Sequence, residues 1–220
     1  MELNLSTTPL FKGINQSDLQ ALLKCLNAVK KEYKKGSTIL QEGTSVEQIG
    51  LVLEGMVLIT HSDVWGNTHI LNSLTLGDVF GESYALSRQQ VLLVNVKAVE
   101  DTKILFLDVS HLIKTCGTSC QFHHQIIQNL LEISSSKNIQ LSRRIFYTSA
   151  KSIRARLMAY FSDCVKNNNR YLFQIPFDRQ QLADYLSVDR SALSNELSKM
   201  QKDGLIEYEK NTFKILTKKL

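Results

Sequence analysis

A change of rhythm near residue 110 restricts the fold more than any other feature. Over 29–108, short apolar stretches are interrupted by turn signals at 34–37 (KKGS), 42–44 (EGT), 54–55 (EG), 65–67 (WGN) and 76–78 (LGD). Glycines at roughly ten-residue spacing separate strands, here at 49–53, 56–60, 69–74 and 104–108. They predict a small antiparallel barrel or roll with room for a ligand pocket. Over 111–146 there is no Pro and no Gly after Gly117, and Phe122, Ile126, Ile127, Leu130, Leu131, Ile133, Ile139, Leu141 and Ile145 recur at helical spacing. One long helix is expected there. Ile126, Leu130, Ile133 and Lys137 form one stripe along it, and Ile127, Leu131, Asn138, Leu141 and Ile145 a neighbouring one. One stripe can pack on the β-unit and the other on the same helix of a second copy. The stripe of Ile126, Leu130, Ile133 and Lys137 is the candidate dimer interface, although spacing alone does not choose between the two.

A chain of 220 residues has room for two compact units and a connector. The divisions expected are a sensing roll at 1–110, a long helix at 111–147 and a DNA-binding unit at 148–220. Apolar residues at 43% and charged residues at 21% are ordinary globular values and argue against disorder. No apolar run approaches the roughly 18 to 20 residues that cross a bilayer. The polar start MELNLSTT also lacks a basic segment followed by an apolar one. A soluble cytoplasmic protein with no membrane partner is expected. The net charge of +5 sits entirely in the last third: 13 Lys and Arg face 13 Asp and Glu up to Tyr147, and 13 face 8 from Thr148 onward. A basic C-terminal unit suits a polyanion, and equally a solvated basic surface. Cys25, Cys116, Cys120 and Cys164 show no CxxC pair and no common zinc spacing, so free thiols are expected.

After a second helix expected at 150–166, the segment FDRQQLADYLSVDRSALSNELSKMQKDGLI reads as two short helices joined by a tight turn, at about 178–202. Asp178 with Gln181 three residues later has the arrangement of a capping box. Leu182 and Leu186 give the first helix its inner face, and small Ala183 permits close approach of the second. Ser187 and Val188 make the turn and Asp189 can cap the next helix, whose inner face is Leu193, Leu197 and Met200. Gly204 is placed to end it. On the outer face Arg190, Ser191, Ser194, Asn195 and Lys199 can all reach phosphates or base edges. In a helix-turn-helix the N-terminal part of this helix enters the major groove. There Arg190 can bond guanine with two parallel hydrogen bonds, and Asn195 can do the same with adenine. Arg179, Gln180 and the amides of the first helix suit phosphates, and Asp189 completes the candidate DNA-binding set. Ile206 and Tyr208, then Phe213 and Ile215, alternate about EKNT as the hairpin of a wing.

These pieces, in this order, resemble the Crp/Fnr family of transcription regulators. FKGINQSDLQALL is similar to the family's N-terminal helix. Gly36, Ile39, Gly43, Leu53, Gly55, Val57, Leu76, Gly77, Asp78, Phe80, Gly81 and Glu82 fall where its roll glycines and core residues recur. The resemblance implies an α+β chain: an N-terminal double-stranded β-helix of jelly-roll or cupin-like form, a long dimerisation helix, and a C-terminal winged helix-turn-helix. It also implies a homodimer that binds double-stranded DNA at a palindromic operator, responds to a small-molecule effector and works with RNA polymerase.

Departures from the family pattern bear on the effector. Ten residues after the Phe-Gly-Glu glutamate, cyclic-nucleotide binders carry an Arg-Ser pair for the cyclic phosphate, and those positions here are Leu92 and Leu93. The hydroxyl pair that reads adenine from the long helix is replaced by Lys137 and Asn138. A phosphate would lose its charge-assisted partner, so a small apolar or organic-acid effector is expected. Its pocket would be drawn from Phe80, Gly81, Glu82, Ser83, Leu92, Leu93, Lys137 and Asn138, with Val94 beside them. The N-terminal cysteine cluster of oxygen-sensing members is missing apart from Cys25. Among His61, His69, His111, His123 and His124, the adjacent pair His123 and His124 point about 100° apart on a helix, so no iron–sulfur, haem or metal cofactor is expected. On the reading helix Ser191 stands for the usual Glu and Asn195 for a second Arg. Ser187 stands for the common turn Gly, which a right-handed backbone would tolerate. A constitutive DNA-binding protein with an empty roll, or a cAMP-type nucleotide sensor, is the competing reading. An enzyme on a cupin-like roll would need clustered ligands, and only scattered His61, His69 and Glu82 are at hand, so no enzymatic activity is expected.

Overall fold

The computed structural model describes residues 5–65, 68–87, 90–113 and 121–216. Cys116, Cys120 and the side chain of His69 lie outside the described residues. The chain forms two compact units, Met1–Ser135 and Ser136–Leu220.

The first unit begins with two 3-10 turns and helix α1 (Gln16–Cys25). Strands β1 (Val29–Tyr33), β2 (Thr38–Leu40), β3 (Gln48–Glu54), β4 (Val57–Ser62), β5 (Thr68–Leu74) and β6 (Val79–Phe80) follow, then α2 (Glu82–Ser87), β7 (Asn95–Ala98), β8 (Thr102–Asp108) and α3 (Val109–Ile113). The strands make two antiparallel sheets, ordered β1-β8-β3-β6 and β2-β7-β4-β5. This is the expected roll.

Strand β8 shows how the sequence specifies the layers. Its TKILFLD run lacks the polar alternation of a half-exposed strand because both faces are covered. Ile104 and Phe106 join Val52, Val57, Leu74, Phe80 and Val96 between the sheets. Leu105 and Leu107 face the opposite way, into a second core with Phe11, Leu22, Ile49 and Leu51.

The long helix α4 (Gln121–Thr148) packs its first turns against that second core. Ile126 and Leu130 are 0% and 4% exposed, with Ile127 and Ile133 beside them. Asn129 donates to the carbonyls of Leu10 (2.9 Å) and Lys12 (2.8 Å), fixing the N-terminal turns to the same helix. This corrects the expected dimer interface: Ile126 and Leu130 are consumed by the roll of their own chain and are closed to a partner. The exposed apolar side chains of α4 are Leu131, Ile139, Leu141, Ile145 and Phe146. Of the helix expected over 111–146, α3 (Val109–Ile113) and α4 (Gln121–Thr148) are described, and the part expected over 114–120 lies outside the described residues.

In the second unit, α4 ends at a buried Tyr147, whose hydroxyl donates to Asp163 Oδ2 at 2.6 Å. Then come α5 (Ile153–Asn168), β9 (Leu172–Gln174), α6 (Arg179–Leu186), α7 (Arg190–Lys202), β10 (Ile206–Glu209) and β11 (Thr212–Ile215). Leu157, Phe161, Leu182, Leu186, Leu193 and Phe213 centre one core. The wing is a three-stranded sheet ordered β10-β11-β9 rather than a hairpin alone; β9 was not expected, and its Phe173 pairs with Phe213. Among the described residues no helix is long and apolar enough to cross a membrane.

Gly50 illustrates how tightly the two sheets close. A Cβ there would overlap the ring of Phe80, which lies over the glycine and meets Phe106 edge-on at 6.3 Å. Gly50→Ala should therefore cost roughly 1–3 kcal/mol of stability through overpacking. A urea midpoint unchanged from the parent would contradict this packing.

Candidate nucleic-acid interface and effector roll

Helix α6 starts where its local chemistry requires. The Asp178 carboxylate accepts from the Gln181 amide (2.8 Å) and the Gln181 side chain accepts from the Asp178 amide (2.9 Å), so two amides without helical partners are satisfied reciprocally. Helix α7 starts on Asp189, whose carboxylate accepts from the Ala192 amide at 2.8 Å. Asp189, expected among the DNA contacts, thus has one carboxylate oxygen engaged in the cap of α7.

The turn between them differs from expectation. Ser187 is left-handed, at φ 53° and ψ 54°, in the region glycine enters cheaply and other residues at a cost. Two arginines hold it. Arg144 on α4 donates to the carbonyls of Asp184 (3.0 Å) and Tyr185 (3.1 Å). Arg156 on α5 donates through Nη1 to Leu186 and Ser187, 2.9 Å each. The last carbonyls of α6, at the end where helical donors run out, are thus bound by guanidinium groups.

Arg190, Ser191, Asn195 and Lys199 are exposed on α7 within half of its circumference, as expected of a reading face. Ser194 is half-buried and donates back to the Arg190 carbonyl at 2.9 Å. The acids of the helix are tied down elsewhere: Arg154 on α5 binds Glu196 at 2.5 Å and Asp203 at 2.7 Å. Those hydrogen bonds, Glu196 first, hold the guanidinium pKa above its ordinary value. With Glu196 and Asp203 neutralised, the exposed face keeps the positive side chains.

Arg179 is partly redirected. Its guanidinium lies over the rings of Tyr208 (5.2 Å) and Phe213 (5.8 Å) and donates to the Lys210 carbonyl, joining the start of α6 to the wing. Partial burial lowers its pKa. Gln180 stays exposed and bonds Asp184 one turn on, at 2.9 Å. Beneath this surface Tyr147, Tyr160 and Tyr185 cluster edge to face, and burial raises the pKa of each. Arg144, Arg154 and Arg156 were missed from the sequence. The basic excess of the last third was the trace of Arg154 and Arg156, whereas Arg144 precedes it, and the partners of all three are fixed only by the packed fold.

The expected effector residues do not form one floor. Phe80 lies between the sheets, whereas Leu92, 1% exposed, and the half-buried Val94 belong to the helix-facing core. Leu93, at a bend of the chain before β7, is 62% exposed. Glu82 is buried, Ser83 is exposed, and Lys137 and Asn138 fall in the second unit. A cleft of about 260 Å³ in the roll includes none of these residues. Its walls include Tyr33, Thr102 and the ion pairs Lys34–Asp101 and Lys103–Glu54, each 2.7 Å. His123, 2% exposed, lies 3.7 Å from the Cys25 sulfur, and among the described residues no three His, Cys, Asp or Glu gather as a metal site.

Residues 30–119 match the cyclic nucleotide-binding domain and residues 155–219 the Crp-like helix-turn-helix domain. The chain joins the two domains of Crp/Fnr-type transcription regulators. Among its relatives is the probable transcriptional regulator flp of Lacticaseibacillus casei, 24% identical over 213 residues, 96% of this chain and 93% of the relative. Electron transport regulator A of Shewanella oneidensis is 24% identical over 185 residues, 81% of this chain and 71% of that one. The regulator shares its fold with CprK complexed with OCPA, at a TM-score of 0.68 and 14% identity over 91% of both chains. It also resembles the global regulator CLP of Xanthomonas campestris, at a TM-score of 0.61 and 16% identity over 92% of this chain and all of that one. It is thus a DNA-binding transcription regulator with an effector-binding domain, and its domain families are those of regulators rather than enzymes.

The left-handed turn gives a direct test. Ser187→Gly removes the Cβ penalty and should raise the unfolding free energy by up to about 1 kcal/mol, less the extra freedom gained by the unfolded chain. A loss of stability in chemical denaturation would mean that the Ser187 side chain carries a contact beyond the backbone geometry.

Proposed function

We propose that this regulator acts as a homodimer on a palindromic operator with half-sites about one helical turn apart, and that its roll answers a small effector other than a cyclic nucleotide. The DNA-reading part rests on one observation: the exposed face of α7 carries Arg190, Ser191, Asn195 and Lys199 while Arg154 holds back both acids at its far end. In that geometry Arg190 reads guanine and Lys199 meets phosphate. Arg190→Ala should weaken operator binding by roughly 1–3 kcal/mol and relax preference at one base pair per half-site. An equal loss on operator and random DNA, measured by fluorescence anisotropy, would reduce Arg190 to a phosphate contact.

The effector reading is supported by Leu92 and Leu93, one enclosed in core and the other on the surface, neither able to offer charge to a phosphate. A function without haem or cluster is supported by the setting of His123, which lies against Cys25 of α1 with no third His, Cys, Asp or Glu gathered beside them among the described residues. The signal would travel as a population shift along α4, which is buried in the roll core at Ile126 and in the reading-head core at Tyr147. A thermal-shift panel of small organic acids, apolar metabolites and cyclic AMP tests this, because a ligand at 100 times its Kd adds about 2.7 kcal/mol of stability. Cyclic AMP is expected to leave the midpoint unmoved, and an active compound to shift both the midpoint and operator affinity. Stabilisation by cyclic AMP would overturn the reading, and silence across the panel would favour a constitutive DNA-binding protein.

A further inference from the structure

Ser187 stands three residues before Arg190, in a left-handed conformation that a non-glycine residue keeps only where its surroundings impose it. Arg156 imposes it by making three contacts at once. Its Nε donates to the Ala150 carbonyl at 2.9 Å, which orients the guanidinium plane. Its Nη1 donates to the carbonyls of Leu186 and Ser187, 2.9 Å each. Those carbonyls belong to the two peptide planes that meet at the Ser187 Cα, and the rotations of these planes are φ and ψ of Ser187. One guanidinium therefore holds both torsions, through bonds strengthened by its charge.

Helix α7 is fixed unevenly along its length. Leu193, Leu197 and Met200 are buried and anchor its middle and its end. In its first turn Arg190 and Ser191 are exposed and Ala192 is half-buried, so the placement of that turn depends on the Asp189 cap and on the backbone behind it. This is the part of a reading helix that enters the major groove. A bidentate bond from Arg190 to guanine requires placement within about 0.5 Å, whereas attraction to phosphates does not. A loosened Ser187 turn should thus be felt in sequence discrimination before it is felt in general affinity for DNA.

We propose that Arg156 is a positioning residue that sets operator specificity without contacting DNA, by holding the Ser187 turn from which the first turn of α7 is aimed. This rests on the reading of α7 above and names a group outside the helix-turn-helix on which that reading depends. Lysine cannot replace it: an ammonium keeps the charge but lacks the planar fork that reaches the carbonyls of Ala150, Leu186 and Ser187 together.

The test uses the full chain, an operator selected with it from random sequence, and random DNA of the same length, at a temperature where circular dichroism shows each variant folded. Arg156→Lys and Arg156→Met should each weaken operator binding roughly tenfold or more, leaving affinity for random DNA within about twofold and its salt dependence unchanged. With Ser187→Gly also present, the same replacements should cost no more than about threefold, because glycine enters the left-handed region unaided. Equal losses on both DNAs, with the salt slope lowered by about one in Arg156→Met alone, would overturn the proposal and make Arg156 a phosphate contact. An operator loss that is the same with and without Ser187→Gly would overturn it too, as would no loss at all, or a failure of Arg156→Lys to fold even with Ser187→Gly, which would make Arg156 a scaffold residue. A parent chain from which no preferred sequence can be selected would instead overturn the reading of α7 itself.

Discussion

Helix α4 takes its stability from two separate hydrophobic cores, and the remaining structure depends on that burial. Ile126 and Leu130 are closed inside the roll and Tyr147 inside the reading-head unit, while the stretch between them contains three consecutive serines, Ser134, Ser135 and Ser136. Serine is an indifferent helix former that competes for backbone hydrogen bonds. Intrinsic preference therefore contributes little at mid-helix, and the anchors at the two ends contribute most.

The reading head follows the same economy with charge. Arg144, Arg154 and Arg156 come from helices that do not read DNA, yet each fixes something the reading helix needs: the carbonyls before the turn, the two acids at its far side, and the turn itself. The exposed basic face is thus made by subtraction as much as by addition. Pairing Glu196 and Asp203 behind the helix leaves its front without repulsion toward a polyanion.

What could be read in the sequence was what local chemistry dictates. The capping box of Asp178 and Gln181 needs only three residues of context, and the roll glycines and the polar face of α7 are similarly local. The missed features depend on tertiary placement. Both stripes of α4 are apolar, so only the packed layer of Leu105 and Leu107 shows which one is used up within the chain. Leu92 and Leu93 looked equivalent as text, but the chain bends there and leaves one in the core and the other on the surface. Ser187 stands where the family's turn Gly is common, yet the left-handed turn was not expected because the residues that hold it come from α4 and α5. Strand β9 has three residues, too few for periodicity to register.

The contact of Arg179 with the wing has a mechanical meaning. Its guanidinium stacks on Tyr208 and Phe213 and holds the carbonyl of Lys210 at the hairpin tip, so the start of α6 and the wing form one stiff arch. A DNA strand gripped at either foot of the arch would load the other. Backbone contacts from the two would be won and lost together, and the release of counterions from DNA would proceed as one concerted event rather than as independent steps.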